Sequence, residues 1–241
     1  MKWTHVTQLR VLARLLAAIL LMSGPCAALA DSARSSLAAA YQILAGKRFV
    51  DLTHAFSPTT PVWQGFGQAR MTPAADPKTH RPYTIAKDGF RATYYQMVGQ
   101  YGTHVDPPAH FAEQGATMDR IPLHQMILPL VVFDITPLLK DDPNHAFSIA
   151  DLKAWEVKYG RVPKGAFAAL RTDMSKDFKT NPERFKRAPF PAWSLEAVKF
   201  LVEERGVTAI GHEAMDADTT EKMLTETYIL SSGHYQIEVM A

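Results

Sequence analysis

The period of the apolar positions changes repeatedly along this chain, and each change marks an element. Residues 32–46 form an Ala/Leu-rich run between Ser32, a good N-cap, and Gly46, a good terminator, and are read as a helix. The segment 48–54 reads as a strand. Pro58, Pro61, Gly65 and Gly67 then break the pattern into a loop that carries Trp63 and Phe66. Residues 72–89 are rich in Pro, Lys and Thr without a period and read as a surface excursion, followed by a strand over 91–99. A dense apolar run over 128–135 has the pattern of a buried central strand. Ser148, with Asp151 three residues on, opens a helix that Gly160 closes. Residues 166–172 are a short buried strand, and 173–193 a loop rich in Lys, Arg, Phe and Pro, suited to act as a lid. Ser194 caps a helix with Leu195, Val198, Leu201 and Val202 on one face, ending at Gly206. A strand over 207–211 delivers His212 and Glu213; a helix runs from Thr219 or Thr220 to about Leu230; a last strand covers 235–240.

Strands and helices alternate in the second half, and strands dominate the first, which predicts one mixed α/β domain. At 241 residues, with 47% hydrophobic and 21% charged positions, the chain can bury a full core. The sequence holds no internal repeat, heptad or phosphate-binding glycine loop, and the lack of a G-x-S-x-G elbow argues against a serine hydrolase of the α/β type.

Residues 1–30 have the layout of an export signal. Lys2, Arg10 and Arg14 form a basic front, 11–22 is apolar, and Ala28-Leu29-Ala30 is a cleavage site. The apolar run is too short for a membrane span. Cleavage would remove the single cysteine, Cys26, and with it any thiolate chemistry; Pro25 argues against lipid attachment there. Removing the three basic residues of the signal from the 26 in the chain leaves 23 against 24 acidic groups. The basic balance therefore belongs to the signal, and the clustered Lys and Arg of a nucleic-acid surface are missing. The expected mature domain is 31–241, periplasmic or secreted, and free of the membrane after cleavage.

The chemistry concentrates in Gln100-Tyr101-Gly102-Thr103-His104-Val105-Asp106-Pro107-Pro108-Ala109-His110-Phe111. Alternate residues of an extended segment share a face, so His104 and Asp106 point the same way. Pro107 and Pro108 remove two donors and fix two φ angles, so the chain must turn, and His110 can return towards the same space. Gly102 allows a bulge or close approach. An imidazole and a carboxylate two apart at a strand end make half of a metal shell. His212 and Glu213 are poorer joint ligands, because neighbours on a strand face opposite sides. His212 reads as a supporting residue. His54 reads as either hydrogen-bonded in the fold or near the pocket mouth, and His234 as exposed or supporting. His80 reads as solvated, and His124 and His145 carry no partner signal.

At this motif the chain resembles a known family. Gly102-Thr103-His104-x-Asp106-x-Pro108-x-His110-Phe111 is similar to the H-x-G-T-H-x-D-x-P-x-H-F signature of the cyclase family of metal-dependent hydrolases, which includes kynurenine formamidase and isatin hydrolase. Asp51-Leu52-Thr53-His54 with Pro61-Val62-Trp63 resembles the family's opening strand and substrate loop. Lys164-Gly165 to Thr172-Asp173-Met174-Ser175, Ile210-Gly211-His212-Glu213 with Asp216 and Asp218, and Tyr235-Gln236-Ile237-Glu238 resemble its later strands. The resemblance implies an α/β fold whose mixed sheet forms a β-barrel-like core with flanking helices, in a homo-oligomer. It implies manganese or zinc held by His104, Asp106 and the late ligand Glu238, with Gln236 as the alternative, and His110 as the acid–base residue. Trp63 and Phe66 would stack on a flat substrate.

Two departures matter. The family's first motif histidine is Gln100 here, and a second-metal histidine falls on Glu226. Both losses imply one ion rather than two, with Gln100, Gln236 and Glu226 as further metal or supporting candidates. The family also continues past Glu238 with an N-L-D segment, whereas this sequence stops at Ala241. The domain is therefore read as C-terminally truncated, with Glu238 near a fraying end. The expected activity is hydrolysis of a small amide, lactam or ester, isatin- or N-formylkynurenine-like, at a C–N bond by metal-activated water. The competing expectation is an exported, metal-dependent small-molecule-binding protein without turnover.

Overall fold

The computed structural model describes residues 36–241. The expected export signal and Ser32 lie outside the described residues. Two units divide the chain, Met1–Val50 and Asp51–Ala241. In the first, helix α1 covers 36–45, and Gly46 closes it by donating its N–H to the Gln42 carbonyl at 3.1 Å. Among the described residues, no helix is long and apolar enough to cross a membrane.

The second unit is organised around a five-stranded sheet. Its strand order is β3 (His104–Asp106), β9 (Tyr235–Glu238), β8 (Ala209–His212), β6 (Phe167–Arg171) and β4 (Leu130–Asp134). β3 runs antiparallel to β9, and all other neighbours are parallel. Parallel neighbours need crossovers. Helix α3 (Ile149–Tyr159) links β4 to β6, α5 (Leu195–Phe200) links β6 to β8, and α6 (Leu224–Ser231) links β8 to β9. α5 continues through a π-helical turn over Leu201–Arg205 and ends on Gly206 in the left-handed region. A short parallel pair, β5 (Ala146–Phe147) with β7 (Ala192–Trp193), and an antiparallel pair, β1 (Arg70–Pro73) with β2 (Thr93–Gln96), lie outside this sheet. Two helices of one turn, α2 (Ile85–Asp88) and α4 (Asp177–Thr180), complete the set used here.

Alternation along the strands sorts the two faces. Val131, Phe133, Leu170 and Ile210 pack against Leu152 of α3, Val198 of α5, and Ile229 and Leu230 of α6, forming the main core. Val105, Phe167, Ala209, Tyr235 and Ile237 face the other way, towards Ile121 and Leu128. The site residues of β3 and β9 lie on the helix-covered face, at the end of the sheet where α6 approaches.

Several expectations change. The segment 48–54 is not a strand; only Thr53 makes an isolated bridge, to Met240. The surface excursion holds the end of β1 and all of α2. β4 is an edge strand rather than a central one. Only Val131 and Phe133 of it are buried, because Leu130 and Val132 sit on the face turned away from the main core. Helix α6 begins at Leu224 rather than near Thr219, since Met223 takes a left-handed conformation and Asp218 caps the first turn from outside. The sheet is open among the described residues, not a closed barrel. Glu238 is not at a fraying end. Met240 donates to the His212 carbonyl and Ala241 to the Leu52 carbonyl, and Glu238 itself is 4% exposed.

The capping box of α3 is present as expected. The Ser148 hydroxyl accepts from the Asp151 N–H at 3.2 Å, and Asp151 accepts from the Ser148 N–H at 2.8 Å. Ser148→Ala should lower stability by about 1 kcal/mol, read from the denaturant midpoint. Val157→Ala, on the 90% exposed position of the same helix, should change it by less than about 0.5 kcal/mol.

Candidate metal centre

The register between β3 and β9 assembles the centre. His104 pairs with Glu238 and Asp106 with Gln236, so four polar side chains from two strands face one space. Gly102 enters β3 at φ +67°, a conformation that favours glycine, and a Cβ there would lie 3.3 Å from Phe56. Thr103 ties the motif to the end of β9: its hydroxyl donates to the Val239 carbonyl at 2.6 Å and accepts from the His54 N–H at 2.9 Å. Val239 follows Glu238 with φ +53°, an unusual conformation for a β-branched residue. Its N–H is held by the Ala214 carbonyl at 3.1 Å.

The proline pair acts as expected. β3 stops at Asp106, and Pro108–His110 forms a 3₁₀ turn closed by the His110 N–H on the Pro107 carbonyl at 2.9 Å. His110 thereby returns to the site, its Nε2 lying 3.9 Å from Glu226 Oε1.

The backbone fixes the tautomer of His104. Its Nδ1 lies 2.8 Å from the Gly102 carbonyl, so the proton sits on Nδ1 and Nε2 carries the lone pair. That Nε2 is buried and has no hydrogen-bond partner, 3.3 Å from Asp106 Oδ1 and 3.6 Å from Glu238 Oε2. His104, Asp106 and Glu238 each offer an atom within 4.8 Å of the others. So do Asp106, His110 and Glu226. An unpartnered imidazole nitrogen facing two buried carboxylates fits a divalent cation.

Gln236 is the hub of the carboxylates. Its Nε2 lies 2.9 Å from Glu238, 3.1 Å from Glu226 and 3.2 Å from Asp106. An amide nitrogen has two hydrogens, so it cannot serve three acceptors fully. Its Oε1 is buried without a partner. Gln100 adds a donor to Asp106 Oδ1 at 3.2 Å. Burial, together with neighbouring Asp216, Asp106 and Asp218, pushes the Glu226 carboxyl up to about 9. Burial and the charges of Asp106 and Glu226 hold Glu238 well above its ordinary range. Burial also raises Asp106, but the facing His104 ring, the Gln236 amide and nearby His110 outweigh it and leave that carboxyl low.

His212 is fully buried and its Nε2 lies 3.2 Å from Glu238 Oε1. Burial lowers its pKa to about 3, so it is neutral and can donate to that carboxylate. Glu213 faces elsewhere and accepts the N–H groups of Thr172, Asp173 and Ser175, so the pair does not ligate jointly. His54 stacks on Phe178 at 3.8 Å and stays out of the pocket. His234 bonds the Thr208 carbonyl, and His145, without a partner signal in the sequence, bonds Asp151 at 2.9 Å.

A cavity of about 190 Å³ opens beside the centre. Trp63 and Phe66 line it, in edge-to-face contact at 5.1 Å, with His104, His110, Gln100 and Glu226. Gly65 makes this possible, because a Cβ there would fall 1.5 Å from the Trp63 ring. The remaining walls include Phe111, Met215, Met223 and Val239, which carry no chemical signature by which the sequence could have flagged them.

The Cyclase family, described as "Putative cyclase", matches residues 50–219. The chain belongs to this family. Isatin hydrolase of Roseibium aggregatum is 29% identical over 213 residues, covering 80% of this chain and 78% of that protein. In fold, the chain is similar to isatin hydrolase A from Labrenzia aggregata bound to benzyl benzoate, with a TM-score of 0.73 at 23% identity over 84% of this chain and 86% of that one. Isatin hydrolase A from Ralstonia solanacearum gives 0.71 at 24% identity, over 86% and 84%. Like these structures, this cyclase-family chain combines a mixed sheet with flanking helices.

The buried acids predict how stability varies with pH. Glu226 has an ordinary value of 4.5 and about 9 in the fold, so from pH 4.5 to about 9 the unfolded chain holds its charge more easily and stability falls as pH rises. Asp216 adds the same trend between 3.8 and about 7. His212 opposes it: held near 3 against 6.5, it costs stability as pH falls below 6.5. Thermal melting of metal-free protein should therefore show a falling Tm from pH 6.5 to 9, and Glu226→Gln should flatten that fall. An unchanged slope in the variant contradicts the assignment.

Proposed function

We propose that this chain is a metal-dependent hydrolase that cleaves the C–N bond of a small, flat lactam or amide, or the corresponding ester, using water. The observation that carries the reading is the buried, unpartnered Nε2 of His104 facing Asp106 and Glu238 beside a cavity walled by aromatic rings. The similarity to isatin hydrolase supports the same reaction class.

His104, Asp106 and Glu238 would hold one manganese or zinc ion. A divalent cation there supplies Lewis-acid polarisation of a carbonyl and a more acidic water. The chain's own residues do the rest. The Gly102 carbonyl fixes the His104 tautomer, and His212 and Gln236 orient Glu238. His110, at the cavity and near Glu226, takes the proton of the attacking water and returns it to the leaving nitrogen or oxygen. Trp63 and Phe66 hold the ring and displace water. Water adds to the carbonyl carbon, the C–N bond breaks, and a carboxylate and an amine result.

One ion is favoured over two because the Gln236 amide lies among Asp106, Glu226 and Glu238, where a second cation would need those same oxygens. The layout of 1–30 supports export to the periplasm or beyond. A groove of about 450 Å³ lined by Met126, Leu128, Leu130, Phe167 and Ile237 supports association with another copy. The runner-up, a metal-dependent binder without turnover, is favoured by Gln100 in place of the motif histidine.

Elemental analysis of the purified protein, with isatin and N-formylkynurenine as substrates under added manganese or zinc, tests the reading. Turnover that survives complete metal removal contradicts it, and metal-dependent binding without turnover favours the runner-up. His104→Ala should lose the metal. His110→Ala should keep the metal while kcat falls by about 10²–10⁴.

A further inference from the structure

Asp216 is an ionisable wall residue of the pocket that neither metal binding nor proton transfer uses. Asp216, on the segment after β8, is 7% exposed and lines the cavity with Trp63, Phe66, Met215 and Met223. Its Oδ1 accepts the Asp218 N–H at 2.8 Å, which fixes the side chain. Its Oδ2 has no hydrogen-bond donor among the described residues. Asp218 differs: its carboxylate is committed to the start of α6, accepting from the Thr225 N–H, the Thr225 hydroxyl and the Glu226 N–H. Among the described residues, no Lys or Arg lines the cavity. An acceptor held in a mostly apolar wall, with water displaced by a bound ring, is left unpaired unless the ligand brings a donor.

We propose that Asp216 is a specificity-determining residue of this pocket: its Oδ2 accepts a hydrogen bond from the N–H of a lactam or anilide, and the cavity turns away rings that carry a carboxylate. The proposal rests on the hydrolase reading for the reaction but not for the recognition. A site built to bond a ligand N–H rejects the analogue that lacks it, because its own buried group is then unpaired. A ligand carboxylate meets Asp216, and among the described residues no Lys or Arg lines the cavity to offset it. Asp216 touches the substrate N–H, while the metal centre and His110 act on the carbonyl and the leaving group.

Isatin, N-methylisatin and a ring-carboxylated isatin test this on the metal-loaded enzyme. Burial holds the Asp216 carboxyl up at about 7, so the assay is run at about pH 8, where the acceptor form dominates. The wild type should prefer isatin over N-methylisatin by about tenfold or more in kcat/KM, mainly through KM. Asp216→Asn keeps an oxygen for the Asp218 N–H but presents an NH₂ to the pocket. It should erase that preference and narrow the gap to the carboxylated ring. Asp216→Ser serves if the Asn variant does not fold. Calorimetric affinity for the same three compounds reads the selectivity independently of turnover. An N–H preference in binding without turnover supports Asp216 and sinks the hydrolase reading. Equal handling of isatin and N-methylisatin by the wild type, or an unchanged preference in a folded variant, overturns the inference.

Discussion

The antiparallel register of β3 and β9 places an imidazole, two carboxylates and an amide on one face of the sheet, and most of the site depends on it. A slip of β3 by one residue would send His104 and Asp106 to the opposite face, away from Gln236 and Glu238, and bring Val105 inward. The surroundings hold the register in several ways. The Thr103 hydroxyl grips the Val239 carbonyl, and the positive φ of Val239 is sustained by its bond to Ala214. Met240 bridges Thr53 across the same edge. Backbone strain immediately after a proposed ligand suggests that the chain is shaped to aim Glu238 rather than to relax it.

Bringing Asp106, Glu226 and Glu238 together out of water is electrostatically costly. The fold offsets this with amide donors from Gln100 and Gln236, with neutral His212, and by keeping some of the acids protonated. None of these is a full counter-charge. A divalent cation at His104 Nε2 would remove the conflict, and in doing so would link metal binding to proton release and to stability.

Much of this was legible in the sequence because the motif is local. The His104–Asp106 alternation, the proline-forced turn and the return of His110 need only strand and proline geometry, and the structure brings them together. The capping box at Ser148 is likewise a three-residue rule. What depended on distant pairing was not legible. The edge position of β4 follows from sheet order, which its apolar run cannot encode. The start of α6 depends on Asp218 capping from outside the helix. Glu238 was expected near a loose end, but Leu52 and Thr53, almost two hundred positions earlier, tie that end down. Asp216 and Met223 enter the pocket only through folding of the segment between β8 and α6.

Burial holds the Glu238 carboxyl well above its ordinary range, so a cation bound there would displace its proton. Calorimetry of manganese binding to metal-free protein near pH 7, repeated in buffers of different ionisation enthalpy, measures this directly. One ion per chain and release of about one proton or more on binding are expected. Binding without proton release, or no binding at all, would contradict this.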